Sequence, residues 1–367
     1  MKTVDDVMAE VGRGAWDARA TKRAKVKIGA AATFAEKEYL LERDGVGFSP
    51  RGNVMALTAD KKAGKSWFAM AMCGALLAGR FLGMASRSDN AKVIYFDTEQ
   101  DEADGQRILR RVHSVCGWDM ETDIERFEVY HLREMASKER REFVIGTIED
   151  LKPDFVIIDG IRDLLDDFND IAQSAELVGV MMRLSSAVNC AIWCVLHVNP
   201  NSDKMRGHLG TELGNKVADI LYMTKKKRLN DEDNVTYTME EVAARSHKDI
   251  HSVTFRIDDS RPYGLPVLVN ENEVKEMAED ERKKLTEKMR GLIHSPESVS
   301  YTELRTRIKS TERLGSAAAG RMLANAISLG IITKQENGKF IFTASNVKAS
   351  SEELPFEKAN DNENAPF

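Results

Sequence analysis

Gly64, Lys65 and Ser66 stand between an apolar run at residues 53–59 (NVMALTA) and a helix-forming stretch at residues 65–78. A strand, a tight bend and a helix in that order make Ala59-Asp60-Lys61-Lys62-Ala63-Gly64-Lys65-Ser66 a phosphate-binding loop, with Trp67 leading into the helix behind it. Backbone N–H groups at the helix start point at phosphate oxygens. The Lys65 ammonium meets the β- and γ-phosphates, and the Ser66 hydroxyl is offered to Mg²⁺. One position departs from the usual glycine-first pattern. Ala59 opens the loop, so the strand must end without a backbone conformation reserved for glycine.

Two more carboxylates fit the same chemistry. Asp159 ends the apolar run FVIID, where a buried carboxylate is costly unless it faces a ligand or cation, so a contact to Mg²⁺ through water is its natural role. Glu99 follows VIYFDT and lies beside the loop if the run at residues 92–98 neighbours the run at residues 53–58; there it polarises an attacking water. Asp97 competes for that role. His197 closes the run AIWCVLH, where a satisfied core histidine is the ordinary occupant. Asn199 and a glycine-punctuated polar segment at residues 199–214 favour a functional one.

The elements that must position these groups show as an alternation. Apolar runs at residues 53–59, 92–98, 127–132, 154–160 and 191–198 are separated by helical segments at residues 65–78, 103–116, 138–151 and 173–188. Strands apolar on both faces and interleaved with helices predict an α/β fold with a mainly parallel sheet. Runs at residues 220–226, 234–242 and 251–258 leave no room for helices and are expected as antiparallel edge strands. Residues 1–45 read as an N-terminal arm with a basic stretch at residues 19–27 and a helical segment at residues 34–42. Residues 46–260 form the core domain and residues 261–279 a linker. Residues 280–343 follow as a module of three helices and a hairpin around Asn337-Gly338, the order of a winged helix-turn-helix. Residues 344–367 form an acidic tail expected to be disordered.

ADKKAGKS, VIYFDTEQ, DFVIIDGIRDL and AIWCVLHVNPN, followed by RGHLGTELGNKVADILYMTK, together resemble the RecA-like ATPases of the RepA/DnaB type. That family includes hexameric replicative helicases and plasmid or mobile-element replication ATPases. The resemblance implies a RecA-like core over about residues 45–258, with ATP as the nucleotide. It also implies Glu99 as catalytic glutamate, Asp159 as the Walker B aspartate and His197 as a sensor of the γ-phosphate. In such relatives the segment after the sensor, here residues 199–214 with Arg206, faces a central DNA channel. Arg245 and Lys248 stand where these rings carry basic fingers that reach a neighbouring subunit's ATP; a solvated turn is the competing reading.

Charge adds a second region of interest. The chain carries −6 overall, but residues 280–343 carry +5 and residues 344–367 carry −3. In the module, Arg305, Arg307, Lys309, Arg313 and Arg321 are placed to meet phosphates, with Lys334 and Lys339 on the wing. Winged helices also dock proteins, so DNA and a protein partner both remain as ligands. The tail ends in Ala365-Pro366-Phe367 behind Asp361 and Glu363, like the acidic tip by which bacterial single-stranded-DNA-binding proteins recruit replication partners. Four cysteines without paired spacing, no membrane-length apolar run and no signal segment predict a cytoplasmic protein with reduced thiols and no membrane partner. The expectation is a Mg²⁺-dependent ATPase acting on DNA as a homo-oligomer, a hexamer by resemblance, in replication or mobilisation of a plasmid, phage or mobile element. A helicase is one form of it. The alternative is a nucleotide-switched DNA-binding adaptor that loads or regulates other factors without unwinding.

Overall fold

A computed structural model describes residues 19–199, 205–228, 231–294 and 297–343. The chain divides into two compact units, residues 1–39 and residues 40–367. In the first, residues 19–26 form a helix (α1) whose Arg19, Lys22, Arg23 and Lys25 are exposed. The helix expected at residues 34–42 is absent. Residues 32–38 have no regular structure and Tyr39–Arg43 is a strand (β1). The second unit begins at Leu40; there an Asp44-Gly45 bend with φ of 49° and 81° returns the chain into Val46–Pro50 (β2), while Leu40 and Leu41 are buried.

In the second unit, Asn53–Ala59 (β3) leads into Lys65–Ala78 (α2), as expected. Arg80–Phe81 (β4) and Met84–Ser86 (β5) join the first two strands in a four-stranded sheet of order β2-β1-β5-β4. Four strand-and-helix steps follow. They are Val93–Asp97 (β6) with Glu102–Cys116 (α3), Phe127–His131 (β7) with Ser137–Leu151 (α4), Phe155–Asp159 (β8) with Ile171–Val188 (α5), and Ala191–His197 (β9) with Gly207–Lys216 (α6). Asp219–Arg228 (β10), Asp231–Ala244 (β11), Val253–Asp258 (β12) and Leu265–Leu268 (β13) complete a nine-stranded sheet of order β13-β12-β11-β10-β3-β9-β8-β6-β7.

The strands from β10 to β7 in that order run parallel, and alternate side chains enter opposite cores. Met55, Leu57, Tyr95, Ile157 and Trp193 pack with Phe68, Met72, Ile108 and Val112 of α2 and α3. Val54, Ala56, Ile94, Ile158 and Ile192 pack with Val144, Leu177, Met181 and Leu209 of α4, α5 and α6. A parallel sheet covered on both faces is the α/β class expected from the apolar runs.

Three details differ from expectation. Strand β10 pairs parallel with β3, because α6 provides the crossover from β9; only β11, β12 and β13 are antiparallel. Gly207, Gly210 and Gly214 had disguised that helix as a loop. The segment at residues 261–279 is not a linker. It holds β13 and the start of Glu271–Leu292 (α7), which opens with a reciprocal capping box between Asn270 and Glu273. Finally, β6 is not next to β3 but lies three strands away, with β9 and β8 between them. Beyond α7, Tyr301–Thr311 (α8), Ser316–Ser328 (α9), Ile332–Lys334 (β14) and Phe340–Phe342 (β15) share a separate core with Met289, Leu304, Leu323 and Phe340 at its centre. None of the described helices is long and apolar enough to cross a membrane. Cys73, Cys116, Cys190 and Cys194 are free thiols.

A buried ionic cluster fastens the end of the β10–β11 pair. His247 Nε2 lies 3.2 Å from Asp219 Oδ1 and 3.6 Å from Glu241 Oε1, with its side chain only 4% exposed. Asp219 also accepts from the Ser49 N–H at 3.2 Å, and Glu241 accepts from the Ile250 N–H at 2.9 Å. Burial alone would lower the imidazole pKa, but the bond to Asp219 and the charge of Glu241 raise it to about 9. Burial first, with Asp219 and Asp249, raises Glu241 to about 7. Both groups hold protons more tightly folded than unfolded. The linked stability is therefore fully present below the unfolded values and is lost as pH rises through about 7 and then about 9. Urea midpoints should fall between pH 6.5 and pH 9.5. His247→Ala should cost roughly 3–5 kcal/mol at pH 6.5 and flatten that slope, since the buried Asp219 carboxylate is left without its cation. An unchanged slope in the variant would refute the assignment.

Candidate active site

The phosphate loop joins β3 to α2, and its backbone shows why Ala59 is tolerated. Ala59 is the last residue of β3, in extended backbone, and its carbonyl accepts the Val198 N–H at 3.1 Å. The left-handed conformations fall instead at Lys62 (φ 59°) and Gly64 (φ 89°). Gly64 is also needed for space. A Cβ there would sit 2.5 Å from Cδ1 of Tyr237, a β11 residue whose ring lies against the loop. No side chain caps the α2 N-terminus, which leaves its N–H groups to an anion.

Lys61, Lys62, Ala63, Gly64, Lys65, Ser66 and Trp67 line a cleft of about 870 Å³. Ala59 and Asp60 do not, although the Asp60 carbonyl accepts from Lys65 Nζ at 3.1 Å. Lys65 is nearly buried, and burial lowers its pKa against the opposing pull of Asp159, Glu99 and Asp60. Its ammonium also donates to His197 Nδ1 at 2.8 Å, which places the imidazole proton on Nε2. Burial, then Lys65, pushes the His197 pKa down to about 4, so the ring is neutral near pH 7. Ala59 and His197 are register partners on β3 and β9, and this pairing delivers the imidazole to the loop.

Ser66 Oγ donates to Asp159 Oδ2 at 2.6 Å, and the Tyr95 hydroxyl donates to the same oxygen at 2.6 Å. A serine hydroxyl and a carboxylate held together are hard oxygen donors that suit Mg²⁺, which takes few protein ligands and completes its shell with phosphate and water. Among the described residues there is no cluster of three or more His, Cys, Asp or Glu that could hold a metal ion.

Glu99 reaches the cleft although β6 is not next to β3. Its Oε1 lies 4.0 Å from His197 Nε2, and Gly160, at φ 150°, leaves room for it at 3.1 Å from a would-be Cβ. Burial, with Asp163 and Asp159, raises the Glu99 pKa. Asp97 plays another part. It is buried, and its Oδ1 accepts the N–H groups of Glu99 and Gln100 at 3.1 and 3.0 Å, so it shapes the turn that presents Glu99.

Several cleft residues escaped sequence reasoning. Tyr237 and Lys225 face each other across β10 and β11, with the ammonium 5.5 Å from the ring centre. Arg111 of α3 stacks over Trp67 at 3.8 Å. Arg140, Arg162 and Asp163 complete the wall. Only Arg162 and Asp163 carried a signal in the sequence, their position directly behind the carboxyl end of β8. Seven Lys or Arg against four Asp or Glu line the cleft, a balance suited to a polyanion.

Other expected site residues lie elsewhere. Arg245 bonds the Asn215 carbonyl and Lys248 is exposed; neither lines the chain's own cleft. Arg206 caps α6, with its guanidinium over the Phe168 ring at 5.3 Å. Arg305 and Arg307 are committed internally and are poorly placed as phosphate contacts. Arg305 bonds the Ser316 carbonyl, and Arg307 bonds Glu297, Glu303 and the Leu292 carbonyl. Lys309, Arg313, Arg321, Lys334 and Lys339 are exposed. The acidic Pro-Phe tail lies outside the described residues.

A family model described as an AAA domain matches residues 18–203, slightly more than half of the chain. The chain belongs to the AAA domain family. The match ends before β10, so the AAA domain segment contains the phosphate loop, Glu99, Asp159 and His197, while Lys225 and Tyr237 lie outside it. Among solved structures, a KaiC-like protein from the archaeon Pyrococcus horikoshii OT3 is similar at 12% identity and a TM-score of 0.46, over 65% of this chain and all of that one. The RadB recombinase is similar at 20% identity and a TM-score of 0.41, over 57% of this chain and 88% of that one. No curated protein matches the sequence.

Proposed function

We propose that this AAA domain protein is a Mg²⁺-dependent ATPase that acts on DNA as an oligomer, in replication or mobilisation of a plasmid, phage or mobile element. The observation that carries the reading is the convergence of Lys65, Ser66, Asp159, Glu99 and His197 at the uncapped N-terminus of α2. On it, the α2 amides and Lys65 bind the phosphates, and Ser66 and Asp159 hold Mg²⁺, which neutralises phosphate charge when bound. Glu99 orients the attacking water and accepts its proton, helped by the burial that raises its pKa. His197 exchanges its bond with Lys65 for one with the terminal phosphate and links that event through its carbonyl, which accepts the Arg206 N–H at 2.9 Å, to the start of α6.

The DNA part of the reading rests on the three helices and hairpin at the C-terminal end, taken as a winged helix. Exposed Lys309, Arg313, Arg321, Lys334 and Lys339 would contact phosphates there. Arg245 and Lys248, absent from the chain's own cleft, are left for a neighbouring subunit's nucleotide. The test is ATP turnover with and without single-stranded DNA, alongside mass in solution with a non-hydrolysable analogue. Stimulated turnover by an assembled species is expected. A monomer whose turnover ignores DNA would remove the motor reading and leave the adaptor.

A further inference from the structure

The short 3₁₀ turn Ile161–Leu164 follows β8 directly, so Arg162 sits three residues beyond Asp159 in the wall of the cleft. Its Nε is buried without a hydrogen-bond partner, and its nearest carboxylate, Asp163 Oδ1, is an ion-pair contact at 3.5 Å. Asp163 is already engaged, since its Oδ2 accepts from Thr98 Oγ1 at 2.8 Å. A buried donor left over beside a cleft is costly unless a ligand takes it up.

The guanidinium is held in place by an aromatic face. Arg162 Cζ lies 4.5 Å from the centre of the Phe168 ring. That ring is itself fixed. Gly207, at φ 72°, presses against it so closely that a Cβ would sit 2.6 Å from Phe168 Cδ2, and the Phe168 carbonyl accepts from the Leu209 N–H at 3.2 Å. The charge of Arg162 is felt by both Glu99 and His197, the groups around the Lys65 ammonium, and it opposes the rise of the first while adding to the fall of the second. A planar donor fork at that end of the cleft suits the terminal phosphate of a triphosphate.

We propose that Arg162 is a terminal-phosphate ligand supplied by the chain's own cleft, and that Phe168 is the positioning residue that holds it there. The inference rests on the nucleotide site proposed above and adds to it a cation that discriminates triphosphate from diphosphate. It is separate from Arg245 and Lys248, which lie outside the cleft.

The test measures affinity of the full chain for a non-hydrolysable ATP analogue and for ADP, each with Mg²⁺, by titration calorimetry. Arg162→Ala should weaken the triphosphate about tenfold or more, the scale of one charge-assisted bond, and leave ADP within about twofold. Phe168→Leu keeps an apolar side chain but removes the aromatic face, and should reduce the triphosphate-to-diphosphate ratio by a smaller factor. If Arg162→Ala does not fold, Arg162→Lys keeps the charge without the planar fork and should still lower that ratio. Equal changes in both affinities, or a ratio unchanged in every variant, would overturn the proposal while sparing the nucleotide site. Failure of the unaltered chain to bind either nucleotide would overturn both.

Discussion

Lys65→Ala should abolish measurable nucleotide turnover, with a loss of about 10²–10³-fold or more, the range for removing one preorganised donor from developing transition-state charge. The expectation follows from its position. Lys65 is nearly buried, is the first residue of α2 and bonds both the loop carbonyl of Asp60 and His197 Nδ1. Its truncation removes the only ammonium held by hydrogen bonds at the α2 N-terminus among the described residues, so affinity and turnover fall together. Steady-state hydrolysis with nucleotide titration checks this, and circular dichroism checks that the fold survives. Turnover within a few-fold of the unaltered chain would show that the chemistry is not at this loop.

Glu99→Gln should separate what Lys65→Ala joins. The amide preserves size and keeps a hydrogen bond to water but cannot accept a proton. Turnover should drop by about 10²–10⁴-fold, the typical contribution of general base catalysis, while nucleotide affinity stays within a few-fold. Asp97→Asn provides the contrast. Asp97 touches the Glu99 and Gln100 amides and not the cleft, so its effect should come through the turn. If Asp97→Asn silenced turnover and Glu99→Gln did not, the assignment of the two carboxylates would be reversed.

How Glu99 came to be legible is instructive. The sequence suggested it through adjacency of β6 and β3, and that adjacency is absent. The residue still reaches the loop because parallel strands end on one edge. Asp97 registers with Asp159, and Ala59 with His197, so β3, β9, β8 and β6 bring the residues at or just beyond their ends to the same crevice. Period and motif spacing therefore sufficed to bring Lys65, Ser66, Asp159, Glu99 and His197 to one crevice. They could not suffice for Tyr237 and Arg111, whose contacts with Gly64 and Trp67 depend on strand order and helix packing across long stretches of chain. Helix α6 was hidden by its glycines, and the first turns of α7 by a polar composition that imitates a linker. The commitment of Arg305 and Arg307 to internal bonds is likewise invisible in charge counts.

The small sheet ahead of the phosphate loop sets a practical boundary for anyone trimming the chain. Strand β1 contributes Leu40 and Leu41 to the interior shared with α2 and pairs with β5 through Leu41 and Glu42. A fragment starting at residue 46, where the alternating pattern seems to begin, would strip a partner from β5 and open a groove over the helix that follows the loop. Raw strand edges beside bare leucine-sized hollows invite self-association, so recombinant fragments should retain β1 complete.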